Sequence, residues 1–222
     1  MDSKLFIYRP VKTNHLNQKF GDNTPCAQLN EWENPIRPFV IRVNKQNGVC
    51  PPGWTDFYTV IGLNGHNGED WACYHGEPLY FPVDCPHAGG WIARDAADVD
   101  GGIGVDVISK KPIVLDGQES HIKFRFWHLK STWKDAHVDF GELIGYCDNT
   151  GASSGDHLHW AMKRCTADGE ALDKDNGYYG AVDFSKWFEN EFVLDVVGVK
   201  AKALTAIQLA RKVIMEIKQT LK

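Results

Sequence analysis

Short apolar stretches separated by turn residues dominate the chain from about residue 57 to residue 165. Within them apolar and polar positions alternate with a period of two. Val105 and Val107 are the apolar positions of one stretch, and Lys123 and Arg125 are polar positions of another. This alternation is typical of half-buried strands in an antiparallel sheet. No helix-length pattern separates the stretches, so a parallel βαβ sheet is not expected. The predicted strands are FYTVIGL, PLYFPV, GGWIA, GIGVDVIS, HIKFRFWHL, LIGYC and HLHWAMK.

The two ends of the chain have different patterns. Residues 1–60 carry many turn formers between short apolar stretches such as FVIRV, which predicts an irregular N-terminal segment. Residues 193–222 predict an amphipathic helix, because apolar residues recur every three or four positions opposite a face rich in Lys and Arg. The apolar positions are Leu204, Ile207, Ala210, Ile214, Ile217 and Leu221. We therefore predict a mainly β fold, with a small antiparallel β-sheet or β-sandwich domain over residues 1–192 and a C-terminal helix over 193–222.

Three roles are open for this C-terminal helix. It can pack back on the domain, or it can dock to a particle or to a second copy of the chain. Because its polar face is basic, binding at a membrane surface is the third.

Composition and charge narrow the choice of partners. The chain has 222 residues, 43% of them hydrophobic, and a formal net charge of −5. Nucleic-acid binding usually needs a basic face, so no nucleic-acid partner is expected. No apolar run reaches the roughly 18–20 residues of a membrane span. The opening residues, MDSKLFIYRPVKTN, lack the features of a signal peptide. They predict a protein that works in the cytoplasm or leaves it by a route that the sequence does not encode.

The six cysteines do not form a metal-binding pattern. They contain no C-x-x-C pair, so zinc-knuckle spacing is absent. Three disulfides are possible by number, but without a secretion signal we expect free thiols. The positions are Cys26, Cys50, Cys73, Cys85, Cys147 and Cys165.

Candidate chemistry begins with the stretch SSGDHLHW, which places His157 and His159 one residue apart. On a strand these two side chains point to the same face. The pair alone does not distinguish metal binding, acid–base catalysis and core packing.

Two upstream features extend this candidate site. His66 and Asp70 form an H-x-x-x-D motif, and nearby glycines predict a turn that leads into a strand near Asp70. Imidazole nitrogen and carboxylate oxygen both bind zinc well, although an exposed His beside an Asp in a polar turn would show the same sequence pattern.

His128 ends the alternating stretch FRFWHLKS, with Phe124 and Phe126 expected on the same face of the strand. Read singly, it is a half-buried strand histidine.

Together, the H-x-x-x-D motif, the strand-end histidine and the stretch GELIGYCDNTGASSGDHLHW resemble the lysostaphin-type zinc metalloendopeptidases. The family signature includes G-x-x-I-G-x-x-G-x-T-G-x-S-x-G-x-H-L-H, and the resemblance covers about residues 60–165. Asp156 stands where the family commonly has Pro, and Asp148 where it frequently has Gly. The residues that match the frame are Gly141, Ile144, Gly145, Thr150, Gly151, Ser153 and Gly155.

The resemblance implies a role for each residue of the site. His66, Asp70 and His159 would be the ligands of a Zn²⁺ ion. His128 and His157 would be catalysts, one helping to deprotonate the attacking water and the other orienting it or stabilising the oxyanion. Asp156, just before the histidine pair, could reach His157 as an outer-sphere residue or face solvent.

The resemblance also implies a substrate. It predicts a zinc-dependent endopeptidase that hydrolyses peptide bonds in bacterial cell-wall peptidoglycan. The N-terminal sequence suggests a phage product, either an endolysin released at lysis or a virion-associated lysin. Two alternatives stay open: a catalytically silent binding or structural module of the same fold, and a zinc amidohydrolase that acts on another substrate.

Overall fold

The structure is a computed structural model that describes residues 2–29, 39–132, 137–203 and 207. It is mainly β, as the alternating pattern predicts. The described strands are β1 (Phe6–Arg9), β2 (Leu16–Gln18), β3 (Pro25–Leu29), β4 (Phe39–Asn44), β5 (Thr55–Asp56), β6 (Glu69–Ala72), β7 (Pro78–Tyr80), β8 (Val83–Asp84), β9 (Trp91–Asp98), β10 (Gly102–Ser109), β11 (Ile113–Leu115), β12 (Gln118–Thr132), β13 (Leu143–Cys147), β14 (His157–Cys165), β15 (Ala181–Val182) and β16 (Phe188–Phe192). The described helices are α1 (Phe57–Val60), α2 (193–203) and two 3₁₀ turns, Pro86–Ala88 and Ser185–Trp187.

A ten-stranded antiparallel sheet forms the body of the protein. Its main path runs β2-β6-β14-β12-β10-β9, and β7, β11, β13 and β15 pair alongside. Two three-stranded sheets, β16-β1-β8 and β4-β3-β5, accompany it. All these pairings are antiparallel except that of β1 with β16. Strands β14 and β6, which carry three of the predicted site residues, are therefore neighbours inside the large sheet.

The two faces of β12 and β14 have different roles. Phe124, Phe126 and Trp160 are fully buried in the hydrophobic core, and the rings of Phe126 and Trp160 stack with centroids 5.7 Å apart. Because successive side chains of a strand point to opposite faces, His157 and His159 lie on the face away from this core. The core thus supports the sheet from behind, and the other face is left for the site.

The N-terminal part of the chain differs from its prediction. Where the structure describes residues 1–55, they form four complete strands, β1 to β4, and are less irregular than expected. The stretch FYTVIGL, predicted as a strand, begins instead with α1. The side chain of Asp56 caps this helix by accepting a hydrogen bond from the Thr59 backbone N–H at 2.9 Å. This cap selects helix over strand for a short apolar run whose periodicity does not distinguish the two.

The expectation of free thiols is wrong for four of the six cysteines. Cys26 is bonded to Cys50 and Cys73 to Cys147, while Cys85 and Cys165 are buried free thiols. The Cys73–Cys147 bond joins the end of β13 to the segment just after β6. It therefore links two segments that flank the strand pair carrying the candidate site.

The described part of the C-terminal helix packs on the domain. The Val197 side chain lies against Gly141, and Lys200 pairs with Asp84 and lies 4.8 Å from the centre of the Phe140 ring. Of the six apolar positions of the predicted stripe, Ile207 is half-exposed and the others lie outside the described residues. The boundary at residue 192, and docking through the helix, therefore stay predictions. Within the described ranges, no helix is long and apolar enough to cross a membrane.

The two disulfides are expected to differ in their contribution to stability. Closing a loop with a sequence separation of 74 restricts the unfolded chain more than closing one of 24. In the chain-entropy model these loops contribute about 4 and about 3 kcal/mol. Replacing Cys73 and Cys147 with Ser should therefore lower the free energy of unfolding more than replacing Cys26 and Cys50. Urea unfolding of both double variants measures this, and a reversed order would contradict it.

Candidate metal centre

Three donor atoms predicted to bind a metal converge at the junction of β6 and β14. Asp70 and His159 are direct partners in the antiparallel register, so their side chains project side by side. Asp70 Oδ1 lies 2.9 Å from His159 Nδ1 and 3.2 Å from His66 Nε2, and the two nitrogens are 3.0 Å apart. The three atoms thus form a nearly equilateral triangle.

A turn that precedes β6 brings His66 to this triangle. The side chain is buried, and its Nδ1 lies 3.3 Å from the carbonyl oxygen of Lys19. Because a carbonyl can only accept, Nδ1 carries the proton and Nε2 presents its lone pair toward Asp70 and His159. The Lys19 carbonyl therefore fixes the tautomer that a metal ligand needs.

The protonation states of the triangle also suit a cation. Burial alone would raise the pKa of Asp70, but the imidazoles of His159 and His66 beside it outweigh burial and hold that pKa well below its ordinary value. Burial lowers the pKa of His159, against the opposing effect of Asp70. These two directions favour an ionised carboxylate and an uncharged imidazole, the forms in which the groups bind metals.

The spacing of the three atoms fits zinc. Tetrahedral zinc with N and O ligands at about 2.0–2.2 Å separates neighbouring ligand atoms by about 3.3–3.5 Å. The observed separations of 2.9–3.2 Å are within a few tenths of an ångström of this value. Three protein ligands of the types His, His and carboxylate are also the number and kind typical of catalytic zinc sites. The residues present therefore fit the Zn²⁺ ion that the motifs predict.

His157 lies beside the triangle and is not part of it. Its Nε2 is 3.7 Å from Asp70 Oδ1, farther than the nitrogens of His66 and His159. Its Nδ1 donates to the Gly155 carbonyl at 2.8 Å and lies 3.1 Å from Ser153 Oγ. The proton is thus held on Nδ1, and Nε2 is the nitrogen that faces the three donor atoms.

His128 reaches the site through a β-bulge. Trp127 and His128 together lie opposite Gly104 of β10, where the register shifts. His128 has a φ of 63°, a left-handed conformation that costs about 1–2 kcal/mol for a residue with a Cβ atom. Its backbone N–H donates to Gly101 O at 3.0 Å and its Nδ1 to Thr150 O at 2.7 Å, which hold it there.

The bulge overturns one expectation about this residue. A regular strand would place His128 on the core face with Phe124 and Phe126, as the alternation predicts. The extra residue turns it to the site instead, where its ring centroid lies 4.6 Å from that of His157. Burial, and then the proximity of His157, lower the pKa of His128 to about 4, so the imidazole is neutral.

Asp156, for which contact with His157 and exposure to solvent were both open, is directed toward His75. Its carboxylate faces His75, with Oδ1 3.6 Å from Nδ1, and Asp148 approaches the same nitrogen at 3.1 Å. Asp148 and Asp156, the two positions that differ from the family pattern, thus both face the half-exposed His75. This group lies next to the Cys73–Cys147 bond and apart from the triangle.

Sequence reasoning missed the backbone groups that orient the site. The carbonyls of Lys19 and Thr150 fix His66 and His128, but a carbonyl has no signature in a sequence. It also missed Gly68, which was noted only as a turn former. A Cβ atom on Gly68 would collide with the Trp160 carbonyl oxygen and lie 2.8 Å from His159 Cε1. The signal available was its place between the two residues of the H-x-x-x-D motif.

Gly68→Ala is expected to weaken zinc binding about 10- to 100-fold, the range for disturbed outer-sphere groups. The added methyl group meets backbone that cannot rotate away, so β6 and β14 must separate and His159 must shift. Competition with a chelator of known affinity measures the change. Gly198→Ala is the matched control, because a Cβ atom there meets nothing within 4 Å. Equal zinc affinity in both variants would contradict the prediction.

No protein-family model matches the chain, and no curated protein sequence matches it. Among solved structures, it is similar to a zinc-containing peptidase from Vibrio cholerae, with 18% identity and a TM-score of 0.41 over 72% of this chain and 37% of that one. It is also similar to the catalytic domain of the antimicrobial peptidase lysostaphin from Staphylococcus simulans, with 24% identity and a TM-score of 0.36 over 51% of this chain and 80% of that one. A third similar structure is a mutant catalytic domain of the prophage-encoded M23 protein EnpA from Enterococcus faecalis. It is 19% identical to this chain, with a TM-score of 0.34 over 50% of this chain and 78% of that one. At TM-scores of this size the shared part is limited, so the assignment of a metal centre depends on the side chains described above. Lysostaphin-type zinc peptidases, which the motifs of this chain resemble, are thus also among the solved structures to which it is similar.

Proposed function

We propose that the protein is a zinc-dependent endopeptidase that hydrolyses peptide bonds in bacterial cell-wall peptidoglycan. One observation carries the proposal of a hydrolase. Three donor atoms meet at the spacing of a zinc site, and two further histidines lie beside them with their Nδ1 atoms bound to carbonyls. The substrate class rests on the resemblance of the motifs and not on the geometry.

The residues divide into a metal-holding set and a proton-transfer set. His66, Asp70 and His159 would hold the zinc ion. When bound, zinc acts as a Lewis acid that polarises a carbonyl group and acidifies water. His157 and His128 are left outside this set, and in each the Nδ1 atom faces a backbone carbonyl oxygen.

His157 and His128 would supply proton transfer. Because each Nδ1–H is bound to a carbonyl oxygen, each Nε2 can accept a proton from the attacking water. One imidazole would take that proton and pass it to the leaving amine, while the other would orient the water by accepting its second O–H. With ring centroids 4.6 Å apart, both serve the same small volume. Imidazole serves as a general acid or base in many enzymes, so a glutamate base is not required here.

Fragment analysis of defined peptidoglycans tests the proposal. We expect about one zinc per purified chain, and release of peptide fragments that stops when zinc is chelated and resumes when it is restored. Mass spectrometry of the fragments identifies the bond that is cut. Full activity in a metal-free preparation would contradict the zinc assignment. Zinc binding without any fragment would favour the silent module, and cleavage of a different amide would favour the amidohydrolase.

We also propose that the protein acts outside the bacterial cytoplasm, as a phage endolysin released at lysis or as a virion-associated lysin. The two disulfide bonds support an oxidising environment, because such bonds persist there and are rare in the cytosol. Fractionation of infected cultures and of purified particles tests this proposal. Finding the protein only in the host cytoplasm during normal growth would contradict it.

A further inference from the structure

A cleft of about 370 Å³ lies beside the metal centre. Three of its lining residues come from the candidate site or its loop, namely Asp70, His157 and Ser154. The others come from the N-terminal part of the chain, which the family resemblance does not cover, and include Gln18, Asp22, Thr24 and Asn44. The N-terminal strands therefore complete the space in which a substrate of this site would lie.

The N-terminal lining is rigidly connected to the metal centre. Gln18 of β2 is the register partner of Asp70, on the side opposite to β14. In the turn after β2, Gly21 N–H donates to His66 O and His66 N–H donates to Asp22 O, both at 2.8 Å. These two backbone hydrogen bonds place Asp22 at a fixed position relative to a metal ligand.

The cleft is polar and contains two carboxylates. Among its lining residues the structure shows amides, hydroxyls, the His157 imidazole, two carboxylates and a single proline, but no Lys or Arg. One carboxylate, Asp70, belongs to the metal triangle. Asp22 is the other, so it is the one available to a substrate.

Asp22 has no cationic partner among the residues that the structure describes. Its Oδ2 accepts one long hydrogen bond, from Thr24 Oγ1 at 3.4 Å, and its side chain is half-buried. A carboxylate that is partly removed from water favours a cation that can replace the lost hydration. An ammonium group, with three N–H donors and no acceptor, matches this carboxylate and the neighbouring hydroxyl and amide oxygens.

We propose that Asp22 binds a free amino group of the peptide substrate and thereby makes the site selective for amine-bearing peptides. This inference rests on the proposed function for its substrate class, and it assigns a specificity role to residues outside the motifs. The amine can be a side-chain ammonium or a chain N-terminus, which share the same charge and donors. Loss of one such charged contact is expected to reduce affinity about ten- to a hundredfold.

Binding of three matched peptides to the zinc-loaded protein tests the proposal without requiring turnover. The peptides are Ala-Ala-Lys-Ala-Ala with both ends blocked, the same sequence with acetylated Lys and a free N-terminus, and a form with every amine blocked. At least one amine-bearing peptide should bind about ten- to a hundredfold tighter than the fully blocked one, and the stronger of the two identifies the source of the amine. Asp22→Asn should abolish this preference, whereas Asp168→Asn, a change at an exposed aspartate outside the cleft lining, should retain it.

The outcomes separate this proposal from the proposed function. Equal binding of all three peptides to the wild type, or a preference that survives Asp22→Asn, would overturn the amine site. A preference that depends on Asp22, together with no fragment released from peptidoglycan, would support the amine site and contradict the peptidase. Zinc content measured on Asp22→Asn shows whether the metal centre is intact, because a loss of metal would point to a structural role of the turn instead.

Discussion

Replacing His159 with alanine is expected to abolish zinc binding and, with it, peptide hydrolysis. His159 Nδ1 is one corner of the triangle, 2.9 Å from Asp70 Oδ1 and 3.0 Å from His66 Nε2. Without it, only one nitrogen and one carboxylate oxygen remain, and two protein ligands do not form a tetrahedral catalytic site. The variant also leaves the half-buried Asp70 carboxylate with one partner fewer, so the apo fold should become less stable as well.

Metal content and thermal unfolding measure this effect independently of any substrate. At zinc concentrations about 100 times the dissociation constant, binding should stabilise the wild type by about 2.7 kcal/mol. The His159→Ala variant should show no zinc-dependent rise in melting temperature, and His87→Ala, which changes an exposed histidine, should behave as the wild type does. Stoichiometric zinc in His159→Ala would contradict this prediction, because it would show that other residues hold the metal.

Local rules account for only part of the convergence of His66, Asp70 and His159, which the family resemblance implied. A two-residue spacing on a strand places His157 and His159 on one face, whatever the rest of the fold does. The glycines around His66 predict the turn that returns its side chain toward Asp70. What periodicity could not supply was the pairing of β6 with β14, which the register shows and which brings His159 to Asp70.

The orientation of His128 could not be predicted in the same way. Its face depends on a bulge, and the bulge depends on a different strand. Gly104 of β10 lies against the ring of Trp127, and a Cβ atom there would also lie 2.5 Å from Phe126 O. Period-two alternation within β12 contains no information about that contact, so the simple pattern placed His128 with the core.

The contribution of the N-terminal segment was also beyond the sequence. Its short strands and many turn formers give weak patterns, and its main role toward His66 is played by backbone groups of Lys19, Gly21 and Asp22. Disulfide pairing is similar, because spacing alone does not determine which cysteines meet. Both features depend on long-range contacts, which local periodicity does not report.

Replacing His157 with alanine is expected to leave zinc in place and to lower kcat about 10²- to 10⁴-fold, the usual contribution of one acid–base group. The reason is the position of the ring. Its Nε2 lies 3.7 Å from Asp70 Oδ1, outside the triangle of donor atoms, while Gly155 O holds its Nδ1 proton. Removing it takes away a proton acceptor without removing a ligand, in contrast to His159→Ala.

Parallel measurements on the two neighbouring histidines decide the division of roles. Zinc content, the zinc-dependent rise in melting temperature and kcat should all be lost in His159→Ala, whereas only kcat should fall in His157→Ala. His128→Ala should resemble His157→Ala, and the double variant should lose less than the product of the two single effects if both imidazoles act on one water. An empty metal centre in His157→Ala would reverse the roles within the pair, because it would show that His157 and not its neighbour is a ligand.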